Sequence, residues 1–126
     1  MNIYLDRNYP KNLVKALDYL HGISPSDEIE IIYGNGRLSD LDTENTVVFL
    51  FDRAKKGLER TTELHYEDGY RVFAFMTRTA DQIDLFKLSL RVLILWKKIL
   101  DVIKDKNTPF ICSYGYKENK VREIES

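Results

Sequence analysis

The 126-residue chain has one cysteine, Cys112. It cannot close an internal disulfide, which excludes the cysteine-stapled small folds and leaves nothing that points to secretion. Histidine is nearly as scarce: His21 and His65 are the only two, and neither has a partner at zinc-ligand spacing. Three prolines and six glycines exclude a collagen-like or low-complexity chain and fall between periodic segments as punctuation. An excess of one charge is missing too. Lys and Arg number 19 against 20 Asp and Glu, a formal charge of −1, which excludes a globally basic nucleic-acid binder but not a local separation of charge. No apolar run has the length and freedom from charge of a membrane span. The opening Met1-Asn2-Ile3-Tyr4-Leu5-Asp6 lacks the basic start and apolar core of a signal peptide, so the expected setting is cytoplasmic.

What is present is an ordinary globular composition, 44% hydrophobic and 31% charged. The length suits one domain over 1–126, with 115–126 a hairpin arm or loose tail. Ile3-Tyr4-Leu5 predicts a short strand. Pro10 opens a helix over Lys11–His21, with Leu13, Val14, Ala16, Leu17 and Leu20 on one face and Gly22 as its stop. Glu28–Tyr33 alternates as a second strand, and Gly34-Asn35-Gly36 breaks it with a tight turn. Thr46–Phe51 is a continuous β-branched and aromatic run, the pattern of a central parallel strand covered on both faces. Gly57–Asp68 predicts a second helix with a weak face of Leu58, Thr61, Thr62, Leu64 and His65, and Tyr70–Met76 a fourth strand. Ala80 to about Lys104 predicts a long helix capped by Thr79. Its stripe comprises Ile83, Phe86, Leu90, Leu93, Ile94, Trp96, Lys97 and Leu100. Phe110–Tyr114 predicts a last strand. Strands alternating with helices imply an α/β fold, a three-layer α/β/α arrangement around a mainly parallel sheet.

Two of these strands end on an aspartate. In a parallel α/β sheet the carboxyl ends lie along one edge, where ligands bind, so Asp6 and Asp52 are brought to the same rim. Carboxylates gathered there stay ionised together if a cation sits among them. Oxygen-only ligands suit Mg²⁺ or Mn²⁺, which keep several waters and engage substrate phosphates. A third acid would come from the loop before the central strand: Asp40 first, with Asp42 and Glu44 as alternates. Bases follow both strand-end acids: Arg7, with Asn8 and Lys11, after the first; Arg53, Lys55, Lys56 and Arg60 after the second. An acidic floor with a basic margin is what a phosphodiester substrate requires. The competing readings are plain ones. Aspartate is a common turn former and helix cap past a strand, and a Lys/Arg run is often a solvated helix face. Asp81 and Asp84 complement the dipole of the long helix, and His21 caps the first helix as a cation. Cys112 is a buried, inert thiol, and Phe49, Phe51, Tyr70, Phe73, Phe75 and Trp96 are core rather than base-stacking platforms.

The opening I-Y-L-D-R-N-Y-P-K-N-L, the strand V-V-F-L-F-D, the strand G-Y-R-V-F-A-F, and Trp96-Lys97-Lys98-Ile99 followed by Pro109-Phe110-Ile111 resemble PIN-like domains of the VapC toxin type. The resemblance implies a Rossmann-like nuclease in which a cluster of acids holds Mg²⁺ or Mn²⁺ and RNA is cleaved, often as the toxin of a toxin–antitoxin pair. It assigns Asp6 as the first-strand acid and Asp52 as the acid of the central strand, both catalytic and metal-binding. Asp40 stands in for an acid that the family usually places at the start of a helix, because Arg37–Asn45 is too short for one. Arg7, Asn8, Arg53, Lys55 and Lys56 would then hold substrate phosphates. Thr77-Arg78-Thr79 carries no acid where some members have one, which keeps open a non-catalytic PIN-like interaction module, a homodimer through the long helix included. A receiver-like phosphate-binding domain would also use strand-end acids, but it needs a lysine at a late strand end, and Met76-Thr77-Arg78 has none.

Overall fold

In the computed structural model the described residues are 1–23, 28–34, 38–51, 55–76, 84–115 and 120–126, with backbone alone at 55–59. Ile3 and Leu5 of β1 (Asn2–Leu5) turn to one side of the sheet and Tyr4 to the other, the alternation that a strand covered on both faces requires. Beyond it come α1 (Lys11–Ile23), β2 (Glu30–Tyr33), β3 (Thr46–Leu50), α2 (Lys55–Glu67), β4 (Arg71–Phe75), α3 (Leu85–Asp105), β5 (Phe110–Tyr114) and β6 (Arg122–Glu125). The strands form one sheet in the order β2-β1-β3-β4-β5-β6. The first five run parallel, and β6 returns antiparallel along β5 as a hairpin arm. The order 2-1-3-4-5 is one of the two common doubly wound orders, with its topological switch between β1 and β3.

Helices cover both faces. Leu13, Val14 and Leu17 of α1 and Leu88, Val92, Leu95, Trp96, Ile99 and Ile103 of α3 share one core with Ile3, Leu5, Val47, Phe49, Phe73, Phe110 and Cys112. The opposite face buries Val48, Leu50, Tyr70 and Val72, and α2 packs over β4 and β5. The layers are therefore α/β/α. Because α1 and α3 lie on one face while β2 and β5 lie to opposite sides, the β4–α3–β5 crossover turns with the opposite hand to β1–α1–β2 and β3–α2–β4. Such crossovers overwhelmingly share one hand, so the second apolar cover over the β1/β3 face comes from an uncommon connection.

Several expectations change. Helix α1 runs through Gly22 to Ile23: a glycine with nothing within 4 Å of a methyl in its place lowers helix propensity without ending the helix. Asp84 caps α3, its carboxylate accepting from the Phe86 and Lys87 N–H groups at 3.0 and 3.1 Å. Thr79 and Asp81, like the turn at 24–27 and residues 35–37, lie outside the described residues. The α3 stripe is corrected most. Trp96 is buried, but Phe86, Leu90 and Ile94 are 72%, 43% and 63% exposed. In α2 Thr62 is buried and Leu64 exposed. The aromatics named above are all buried, with Phe49 stacked on Phe73 at 4.9 Å.

At the amino edge of the sheet the buried Arg71 guanidinium donates to Ile103 O (3.3 Å) and Lys106 O (3.2 Å) at the end of α3 and to Glu44 O (3.5 Å) ahead of β3. Carbonyl dipoles thus take the place of a carboxylate partner. Imidazole and indole join the helices on the other face: Trp96 Nε1 donates to His21 Nε2 at 3.0 Å. His21 acts there as a neutral acceptor between α1 and α3, which corrects its reading as a cationic helix cap.

Candidate functional site at the carboxyl edge

β1 and β3 pair in register, Leu5 opposite Phe49, and the ladder continues one bond further, from Asp6 N–H to Phe49 O at 3.0 Å. Asp6 therefore leaves the sheet at the switch point, where neighbouring connections diverge and open a crevice. Its carboxylate is organised locally. The Asn8 backbone N–H donates to Oδ1 at 3.1 Å and the Asn8 side-chain amide to Oδ2 at 3.4 Å. The same amide nitrogen donates to Phe51 O at 3.0 Å. Asn8 thus ties the first strand end to the chain immediately before Asp52. This commits its amide nitrogen to the protein. Asp52 and Arg53 lie outside the described residues.

Three further residues buttress this turn. Tyr33 OH donates to Arg7 O at 2.8 Å, holding the backbone of Arg7 against the end of β2. Gly34 lets that strand end approach: a methyl there would stand 2.6 Å from Arg7 N and 2.9 Å from Leu5 O. Tyr9 is buried, donates to Leu50 O at 3.1 Å, and meets the hydroxyl of buried Tyr114 at the end of β5. Burial and the Tyr114 contact push the Tyr9 phenol well up, and burial does the same to Tyr114, so both stay neutral links. None of these roles was read from sequence; the cue available was a tyrosine before Pro10 and a glycine directly after a strand.

Asp40 closes a single 3-10 turn, Leu38–Asp40, on the way from β2 to β3. Leu38 O and Leu41 O accept from Tyr70 OH at 3.0 and 3.3 Å, so the turn hangs from the residue that leads into β4, and the Asp40 side chain is exposed. Asp42 caps the next turn through Glu44 N–H at 3.1 Å, and Glu44 sits at the amino end of β3, opposite the rim. Among the described residues no three His, Cys, Asp or Glu side chains gather as a metal site. Burial holds the imidazole of His65 below its ordinary value, against the pull of Asp68 and Asp6.

The first turns of the helices carry bases rather than acids, although Asp84 caps α3 and His21, His65 and Lys104 lie in the last turns. Acids are favoured in first turns by about 0.3–1 kcal/mol each, yet none of the three helices has one there. Lys11, Lys55 and Lys56, and Lys87 occupy those turns instead, while α2 closes on Glu67 and α3 on Asp105. The strand-to-helix connectivity puts all three amino ends toward the carboxyl edge. The near-zero total charge therefore covers a bias, with Lys11 and Lys87 in first turns toward the carboxyl edge beside the Asp84 cap, and Glu44, Glu67, Asp68 and Asp105 toward the amino edge. Of the side chains of Lys55 and Lys56 the structure describes nothing.

These features define a doubly wound α/β domain with an acid at its switch point. Comparison with family models, with curated proteins and with solved structures finds no match to this chain. No helix among the described residues is long and apolar enough to cross a membrane.

Proposed function

We propose that the chain is a PIN-like, metal-dependent endoribonuclease, the toxin of a toxin–antitoxin pair acting in the cytoplasm. The observation that carries the reading is Asp6 at the β1/β3 switch point, with the lysine-bearing first turns of the helices toward the same edge. Bases and helix amino ends on one edge favour a bound anion. In this reading Asp6 and Asp52 hold Mg²⁺ or Mn²⁺, and Asp40 completes the set only if the 38–40 turn swings toward the rim. The metal supplies an activated water and neutralises charge on the phosphodiester. Arg7, Lys55 and Lys56 hold flanking phosphates, with Arg53 beside Asp52. Asn8 keeps the Asp6 carboxylate aimed.

Manganese binding by calorimetry and cleavage of a fluorescent RNA test this with wild type, Asp6→Asn and Asp52→Asn. Each variant is expected to lose cleavage by about a hundredfold or more, equivalent to about 2.7 kcal/mol of barrier. Equal cleavage by all three proteins refutes the mechanism and leaves the non-catalytic interaction module. The exposed face of α3 favours that second reading.

A further inference from the structure

Helix α3 is apolar around most of its circumference, and the sheet uses one side only. Leu88, Val92, Leu95, Ile99 and Ile103 are buried, while Phe86, Leu90 and Ile94 stand at i, i+4 and i+8 on the outside, 72%, 43% and 63% exposed. Three side chains at that spacing cover about 12 Å of helix length, with half-buried Leu93 and Leu100 along one margin. Lys87, Arg91 and Lys98 follow the other margin and Lys97 closes the end, with the exposed Asp101 one turn beyond it as the nearest acid on this face.

We propose that this face docks a partner protein through an amphipathic helix whose apolar side is flanked by Asp and Glu. An i, i+4, i+8 row forms a ridge that packs into the groove of a facing helix, and the basic margin selects the charge of the occupant. A second copy of this chain is less favoured. An antiparallel pairing of two such faces would set Lys87 of one near Lys97 and Lys98 of the other, with one exposed acid on the face, Asp101, per copy to offset them. The stripe is also narrow for a lipid surface, which rewards a broad apolar face. The proposal does not depend on nuclease activity, so loss of cleavage in Asp6→Asn leaves it standing.

The test pans a displayed library of 18-residue helical peptides against the full chain, with Phe86→Ser and Ile94→Ser as counter-selection. Both substitutions are exposed, so unchanged thermal melting verifies their folding. Selected binders are expected to carry apolar residues at i, i+4 and i+7 or i+8 with acids beside them. They should bind either variant at least tenfold more weakly than wild type, and more weakly in high salt. No enrichment overturns the proposal, as do binders with neutral or basic flanks. So does a wild-type dimer that Ile94→Ser dissociates, or binding to phosphatidylserine vesicles that Phe86→Ser abolishes.

Discussion

Replacing Gly34 by alanine tests how tightly the end of β2 is fitted to the turn that carries Asp6. The added methyl would lie 2.6 Å from Arg7 N, 2.9 Å from Leu5 O and 3.1 Å from Asp6 C. All three are backbone atoms, so no side chain can swing aside. Comfortable contact lies near 3.5 Å, so strand and turn must separate by almost ~1 Å. Tyr33 OH, bonded to Arg7 O, resists that separation. Overpacking of this kind costs about 1–3 kcal/mol, or roughly 4–12 °C in melting temperature for a chain of this size. If Asp6 is catalytic, a displacement of that order also costs about a hundredfold in turnover. Gly22→Ala is the control: nothing lies within 4 Å of the added methyl, and a helical Gly→Ala change is expected to stabilise by about 0.5–1 kcal/mol. Calorimetric melting reads both. A Gly34→Ala protein as stable as wild type, or less affected than Gly22→Ala, would refute the close fit at the rim.

Arg71→Met removes the donor shared by Ile103 O, Lys106 O and Glu44 O, and urea unfolding should show a loss of about 2–4 kcal/mol, softened by relief of the buried charge. The two faces of α3 separate cleanly: Leu95→Ala should cost about 2–5 kcal/mol and Ile94→Ala less than about 0.5, and equal costs would overturn the face assignment. Burial pushes the Cys112 thiol up to about 11, so iodoacetamide at pH 8.5 should label it only after unfolding. Because the folded value is raised, this thiol's contribution to stability is complete below about pH 9 and declines as the pH rises toward 11. Rapid labelling of the folded chain would contradict its burial.

The sheet was legible because β-branched and aromatic runs between glycine and proline breaks leave little choice. The V-V-F-L run before Asp52 reads as a central strand, and it is one. The face of α3 was not legible. Its sequence offers two apolar sides, one through Phe86, Leu90 and Ile94 and one through Leu88, Val92, Leu95 and Ile99. Helical period alone cannot say which side meets a sheet. The strand-end position of Asp6 followed from a local pattern, whereas the link from Asn8 to Phe51 O spans 43 residues and exists only once β1 and β3 are neighbours. Asp40 precedes the central strand in sequence, whereas the tie of its turn to Tyr70 OH through Leu38 O and Leu41 O depends on residues about thirty positions away.

Charge shows the same division. The sequence by itself determined the total of 19 bases against 20 acids, the acids at two strand ends and the bases that follow them. Only the tertiary structure decided the strand order that sets Asp6 at the switch point. Parallel strands put every strand's carboxyl end and the following helix's amino end toward one edge, so first turns that begin at Lys11, Lys55 and Leu85 share the edge of Asp6. The unusual hand of the last crossover then lays α3 beside α1, burying one apolar side and leaving the other exposed.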